Sequence, residues 1–386
     1  MPAVHSYTLP PDKLVQAVQY AHARYALYFA NLAISILVLL AMIRLKIVPR
    51  LRRLPPVLIV AAVVLLTALF SLPGEMYGHS LSVRFHISIG SWPSWFWDWC
   101  KEQMVSIVIA ITVLIPFYAL LRRSPRRWWL YAWLAALPIM LASVYADPLI
   151  LEPLFNRFEP LAAGHPELLD PIERLLHHAG VSIPPDHLFE MKASEKTNSL
   201  NAYVSGFGPS RRVVLYDTII RKEEGPPLMT TIGHELGHYV LQHIPKGLAF
   251  GALLLLLGLL LLFYLMPWLI RRLAIPGVGD WASLPLFLLL ILVLSFLGDP
   301  IGNAYSRFEE HQADVYSLEV THGLIADPGQ AAAQAFQIEG ETDLEEPAPN
   351  PLIVFWLYTH PPVAERLRFS LEYDPWSHGN HTQFVP

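Results

Sequence analysis

Six long apolar runs set the terms on which this chain can fold. Crossing the hydrocarbon core of a bilayer takes roughly 20 apolar residues in a helix, with about 17 tolerated. Residues 25–43, 54–72, 104–121, 128–146, 247–270 and 281–297 approach or meet that length. The second and sixth runs are short or flanked by proline, which leaves a buried core helix as the alternative for either. Tyr25, Trp128, Tyr145, Trp268 and Trp281 stand at the ends of runs, where amphipathic rings favour the headgroup zone. Hydrophobic residues make up 54% of the 386 positions and charged residues only 15%, so a multi-pass helical bundle in a lipid bilayer is expected rather than a soluble domain.

The same composition excludes other classes. The net charge is -5, and Lys and Arg cluster beside apolar runs instead of forming one basic face, which argues against a nucleic-acid partner. Cys100 is the single cysteine, so neither an intramolecular disulfide nor a multi-thiolate metal site can form. The first 24 residues carry Pro10, Pro11, Asp12 and Lys13 with no short apolar core and cleavage site; the first span is expected to act as an uncleaved insertion signal.

Polar sequence divides the runs into regions. Residues 1–146 hold four spans, 147–246 form a polar domain, 247–303 a hairpin of two spans, and 304–386 a polar tail that completes the domain. Within the polar domain, 168–178 reads as helix. Residues 201–204 and 212–217 read as two strands of a β-hairpin around Gly206-Phe207-Gly208-Pro209-Ser210. The small-residue and acidic stretch 331–349 reads as a mobile loop. No internal repeat is present.

The polar domain ends in Thr230-Thr-Ile-Gly-His234-Glu235-Leu-Gly-His238-Tyr239. Residues four apart share a helix face, so both imidazoles can reach one ion while Glu235 is aimed toward its bound water. A catalytic zinc uses three protein ligands and keeps an open position for water, whose pKa falls to about 7. One Zn2+ per chain is therefore expected, with Glu235 as general base. The helix is expected to continue, or to kink at Pro245, into the fifth span, which places these costly polar groups at membrane depth.

A third ligand is needed, and Arg307-Phe308-Glu309-Glu310-His311-Gln312-Ala313-Asp314 offers Glu310 as the leading candidate. If the fifth and sixth spans form a hairpin, the chain returns after residue 297 to the side it left at Gly247. Glu309 and His311 remain rivals on spacing alone. Asp314, one turn beyond Glu310, can accept the second ring N–H of a metal-bound histidine.

Several segments together resemble the CAAX prenyl protease 1 family of membrane gluzincins. They are Tyr145-Ala146-Asp147 with Pro153-Leu154-Phe155, Asn201-Ala202-Tyr203 with Arg212-Val213-Val214-Leu215, the His234 motif with His243, Glu309-Glu310-His311-Gln312-Ala313-Asp314, and Thr359-His360-Pro361-Pro362 with Glu365-Arg366-Leu367. The resemblance implies Glu310 as the third ligand. It also implies a mainly α fold in which membrane helices enclose a chamber capped by a small α/β zincin-type domain, made of the His-Glu-x-x-His helix and a short β-hairpin. It further implies that substrate lies along Asn201, Ala202 and Tyr203 by β-addition, that His360 stabilises the oxyanion and that Arg366 organises that site. Eukaryotic members carry a further first span, so six spans replace seven. The segment 75–102, with Trp92, Trp95, Trp97 and Trp99, matches the family poorly and is expected to face the chamber.

The expected reaction is hydrolysis of peptide bonds near the C-terminus of prenylated or other membrane-associated substrates, the partners being a peptide or lipidated protein and the bilayer itself. Two alternatives are a general membrane-protein quality-control metalloprotease of the HtpX kind, with no prenyl requirement, and a transporter or receptor with a structural zinc. The transporter reading calls for inverted repeats of spans, which the sequence lacks. Basic residues gather in 44–53, 122–127 and 271–272, loops of one parity, so the positive-inside rule favours an extracytoplasmic polar domain; the eukaryotic relatives face the cytosol.

Overall fold

Lipid-facing helices account for most of the molecule. The computed structural model describes residues 3–206, 211–377, 379 and 381–385, and within them six helices are long and apolar enough to cross a membrane. The N-terminal part runs α1 (Pro11–Arg44), a short α2 (Ile47–Arg50), α3 (Pro56–Arg84), α4 (Trp92–Arg123) and α5 (Trp128–Ala146). A π-helical turn then leads into α6 (Glu152–Phe155). Leu37, Val108, Leu253 and Tyr264 on the span surfaces are more than half exposed, an arrangement that water would penalise and lipid does not.

The polar region follows as β1 (Phe158–Pro160), α7 (Leu161–Gly164), α8 (Leu169–His178), β2 (Leu188–Met191), β3 (Ala202–Ser205), β4 (Arg212–Tyr216), α9 (Asp217–Lys222) and α10 (Pro226–Val240). Its sheet has the order β1-β2-β4-β3. The strands β2 and β4 pair in parallel, whereas β3 and β4 form an antiparallel hairpin with Ala202 opposite Leu215 and Ser205 opposite Arg212. The expected hairpin is therefore present, and its tip, 207–210, lies outside the described residues. As the terminal strand, β3 leaves one edge unpaired within the sheet. The other strands and α10 bury Val213, Leu215, Ile232 and Leu236 in one apolar core with Ile172 and Leu175 of α8.

The chain returns to the membrane through α11 (His243–Leu273) and α12 (Leu284–Thr321), then closes with α13 (Pro328–Asp343), α14 (Pro351–Leu357) and α15 (Val363–Glu372). Helix α12 is 38 residues long, about 57 Å at 1.5 Å per residue. Its first turns pack Leu284, Leu286 and Phe287 among the spans, and its last turns pack Tyr316 and Val320 into the core of the polar region. One continuous helix thus joins the spans to the site.

Two local expectations are corrected. Most of the stretch 331–349 is not a loop: it lies in α13, capped by Asp327 Oδ1 accepting from Gln330 N at 2.9 Å and started by Pro328. Its alanines serve close packing, with Ala331, Ala332, Ala333 and Ala335 all buried. The break before the fifth span comes at Gln242, left-handed at φ 58, and Pro245 sits in the first turn of α11, where its missing N–H costs nothing. In 75–102, Trp92 and Trp95 pack on His79 with ring centroids 4.6 and 5.2 Å away, and Trp97 is exposed.

Candidate metal centre

Close approach of α10 to α12 creates the site, and two glycines permit it. A Cβ on Gly237 would lie 3.1 Å from the Ala313 Cα, and one on Gly233 would lie 3.2 Å from a Val320 methyl. Both glycines face α12, one turn apart, so the backbones can nearly touch. The contact is tied by Ser317 Oγ donating to the Thr230 carbonyl at 2.5 Å.

That contact brings His234, His238 and Glu310 together, with one ligand atom from each within 4.8 Å of the others. His234 Nε2 lies 3.2 Å from Glu310 Oε2, and His238 Nε2 lies 3.3 Å from Glu310 Oε1. The two Nε2 atoms are themselves 3.1 Å apart. Glu309 and His311, the rivals on the same helix, do not join this group. His311 instead packs on Phe369, with ring centroids 4.6 Å apart.

Each imidazole is held from behind. Asp314 Oδ1 accepts from His234 Nδ1 at 2.9 Å, and His243 Nδ1 meets His238 Nδ1 at 2.9 Å. With Nδ1 of each ring engaged, Nε2 is the atom each ring turns inward, and two ring nitrogens so close to a carboxylate call for positive charge between them, a proton or a metal cation. Glu310 Oε2 is buried at the same point, between His234 Nε2 at 3.2 Å and the Arg366 guanidinium at 3.7 Å. Burial opposes charge on His234, yet Asp314 and Glu310 outweigh it and raise its pKa to about 10. The cluster is thus built to attract positive charge, and its two nitrogens and one carboxylate suit zinc.

Around the cluster, Arg366 grips Asp314 in a two-pronged pair, NH2 to Oδ1 at 2.6 Å and Nε to Oδ2 at 3.0 Å, and its guanidinium lies over Phe336 at 4.4 Å. His360 Nε2 stands 3.3 Å from Glu310 Oε1 on a half-exposed side chain. Glu235 points into a cavity of about 710 Å³ that also touches His234, His360, Asn201 and Ala202. Burial raises the Glu235 carboxyl above its ordinary pKa, as befits a group that takes up a proton. Tyr203 alone of the residues expected along the substrate strand keeps its side chain out of this cavity; its hydroxyl donates to Glu152 Oε2 at 2.5 Å.

Sequence reasoning gave His243 no role, because it lies five residues beyond His238 across a helix break. The glycine pair Gly233 and Gly237 was in view inside the motif, but its packing purpose emerges only with α12 alongside.

A membrane bundle carrying a His-Glu-x-x-His helix beside such a cavity defines an integral-membrane metalloprotease. Residues 163–373 match peptidase family M48, and residues 1–157 match the CAAX prenyl protease N-terminal domain, described as five membrane helices; this chain has four candidate spans in that region. The chain belongs to peptidase family M48. It is 34% identical over 382 residues to an uncharacterised metalloprotease, YhfN, of Bacillus subtilis, covering 93% of this chain and 86% of that protein. It is also 30% identical over 232 residues to the CAAX prenyl protease 1 homolog of Dictyostelium discoideum, covering 57% of this chain and 53% of the relative. The crystal structure of S. mikatae Ste24p superposes with a TM-score of 0.82 at 22% identity, over 97% of this chain and 92% of that one. The fold expected from sequence is borne out.

Proposed function

We propose that this membrane metalloprotease binds one zinc ion through His234, His238 and Glu310 and cleaves peptide bonds near the C-terminus of prenylated or other membrane-associated polypeptides. The observation that carries the reading is the convergence of those three side chains, one of which, His234, lines the same cavity as Glu235. When bound, zinc would supply Lewis acidity, polarising the scissile carbonyl and making water more acidic.

The protein's own residues divide the remaining work. Glu235, poised by burial, takes a proton from the attacking water and delivers it to the leaving amine. His360 donates to the oxygen on which negative charge develops. Arg366 is a positioning residue: through its pair with Asp314 it fixes the His234 ring. Asn201 and Ala202 border the cavity at the start of the unpaired edge of β3, where an extended substrate backbone can add as a further strand; Tyr203 would take part through its backbone.

The basic loops gather at one end of the bundle, where Val48, Leu121 and Trp281 share one apolar cluster. By the positive-inside rule that end is cytoplasmic and the site opens on the other face. The relatives' names favour a prenylated substrate, whereas a quality-control protease would need no lipid.

Cleavage of matched farnesylated and bare peptides by the purified, zinc-loaded chain, with and without a chelator, tests this reading. Chelator-sensitive cleavage with a strong preference for the farnesylated peptide is expected. Equal rates would favour the quality-control alternative, and no cleavage of either would remove the proposed substrate class.

A further inference from the structure

Beside the candidate metal centre the cavity is acidic beyond what the hydrolytic residues require. Six carboxylates line the cavity against two guanidiniums, those of Arg24 and Arg366, and Arg366 is already committed to Asp314. Glu339 and Asp343 come from the last turn of α13. Leu344, left-handed at φ 54, then folds the chain so that Glu345 also faces the cavity, a turn pinned by Tyr7 donating to the Glu345 carbonyl at 2.9 Å. Behind Glu339, fully buried Glu223 shares a hydrogen bond with it.

Among the described residues none of Glu223, Glu339, Asp343 and Glu345 forms an ion pair, and a buried oxygen of Asp343, Oδ1, has no hydrogen-bond partner at all. The nearby cations are engaged elsewhere: Lys222 Nζ donates to Thr342 Oγ1 at 3.1 Å, and Arg24 to the Tyr20 hydroxyl at 3.1 Å. Glu223 is fully buried and the other three are half-buried at the cavity surface; carboxylates so enclosed and without a direct cationic partner are costly to ionise, so a guest that brings positive charge to this wall would be stabilised there. A metal ion is a poor candidate. It needs its ligand atoms gathered around one point, and the one such convergence among the described residues is the His234 group. These acids are instead spread along a wall that reaches the edge strand, where Leu200 N meets Asp343 Oδ2 at 3.5 Å.

We infer that Glu339, Asp343 and Glu345 form a specificity subsite that takes a Lys or Arg side chain of the substrate, close to the scissile bond. A peptide laid along β3 passes Asp343 at Leu200, so a long cationic side chain beside the scissile bond can reach the wall without leaving the strand. Burial raises Glu339 and Glu345 to about 7 and Asp343 to about 6, which means that an incoming cation would also favour their ionisation. This inference rests on the proposed peptide hydrolysis at the same cavity and adds the side-chain class that the cavity prefers.

The test is direct binding, so that it does not depend on turnover. Full-length Glu235→Gln chain in detergent, loaded with zinc, is titrated with fluorescent peptides carrying Lys, norleucine or Glu at each position within three residues of the scissile bond. At one position the Lys peptide should bind about tenfold tighter than norleucine, and Glu weaker than both. Adding Asp343→Asn or, as an isosteric alternative, Glu345→Gln should shrink the Lys-to-norleucine ratio toward one. Equal affinity for Lys and norleucine at every position would overturn the subsite, as would a ratio unmoved in both variants. Absence of cleavage by the parent chain would count against the hydrolytic reading and leave this affinity ratio to decide the subsite separately.

Discussion

Asp314 serves two partners at once: its Oδ1 receives His234 Nδ1 at 2.9 Å and the Arg366 guanidinium at 2.6 Å. The carboxylate is buried, and the same helix carries Glu310 one turn earlier. Orientation of one imidazole, the charge on Arg366 and the position of the third proposed ligand are therefore coupled through a single turn of α12. Asp314→Asn should keep the fold but loosen the ring, lowering zinc affinity by about 10- to 100-fold. Competition with a chromogenic chelator measures it, and an unchanged affinity would show that the pair is merely structural.

Glu235→Gln preserves shape and removes the proton acceptor. Zinc content should stay at the wild-type level while kcat falls by roughly 100-fold or more. Loss of metal together with activity would mean that Glu235 holds the site instead of acting in it.

Gly237→Ala tests how the two helices meet. The added methyl would face the Ala313 Cα and Tyr316 Cβ, each at 3.1 Å, and backbone on the partner helix cannot swing aside as a side chain can. Overpacking of this kind costs about 1–3 kcal/mol, and separation of α10 from α12 should weaken zinc binding as well. A melting temperature and a metal affinity equal to wild type would contradict the close-approach account.

The acidic wall predicts a pH dependence of stability. Burial pushes Glu339 and Glu345 up to about 7 and Asp343 to about 6, whereas in the unfolded chain such groups titrate near 4. Between those values the folded protein holds more protons than the unfolded one, so these groups lower stability as pH rises from about 4 to 7. Thermal melts across that range should show a decline in the wild type and a shallower one in Glu339→Gln plus Asp343→Asn. An equal slope in both proteins would contradict the assignment.

Much of this was readable in the chain because the signals are local. Six apolar runs announced the spans, and the four-residue spacing of His234 and His238 announced a shared face. The side to which the hairpin returns points to residues 307–314, and the family resemblance singles out Glu310 among them. What escaped depends on partners distant in sequence. The stretch 331–349 has the small and acidic residues of a loop, and only the neighbouring α10 and α15 turn its alanines into a packed helix face. His243 supports His238 only because the chain breaks at Gln242 and turns back, a bend for which Pro245 was the more obvious but incorrect marker.

Metal content of the purified full-length chain tests the central claim most directly, by elemental analysis of wild type alongside His238→Ala and Glu310→Ala after dialysis against trace zinc. The account predicts one zinc per chain in the wild type and a large loss in both variants, with folding checked by melting. Stoichiometric zinc retained in Glu310→Ala would contradict it, because the joining of α10 to α12 through one ion would then not exist.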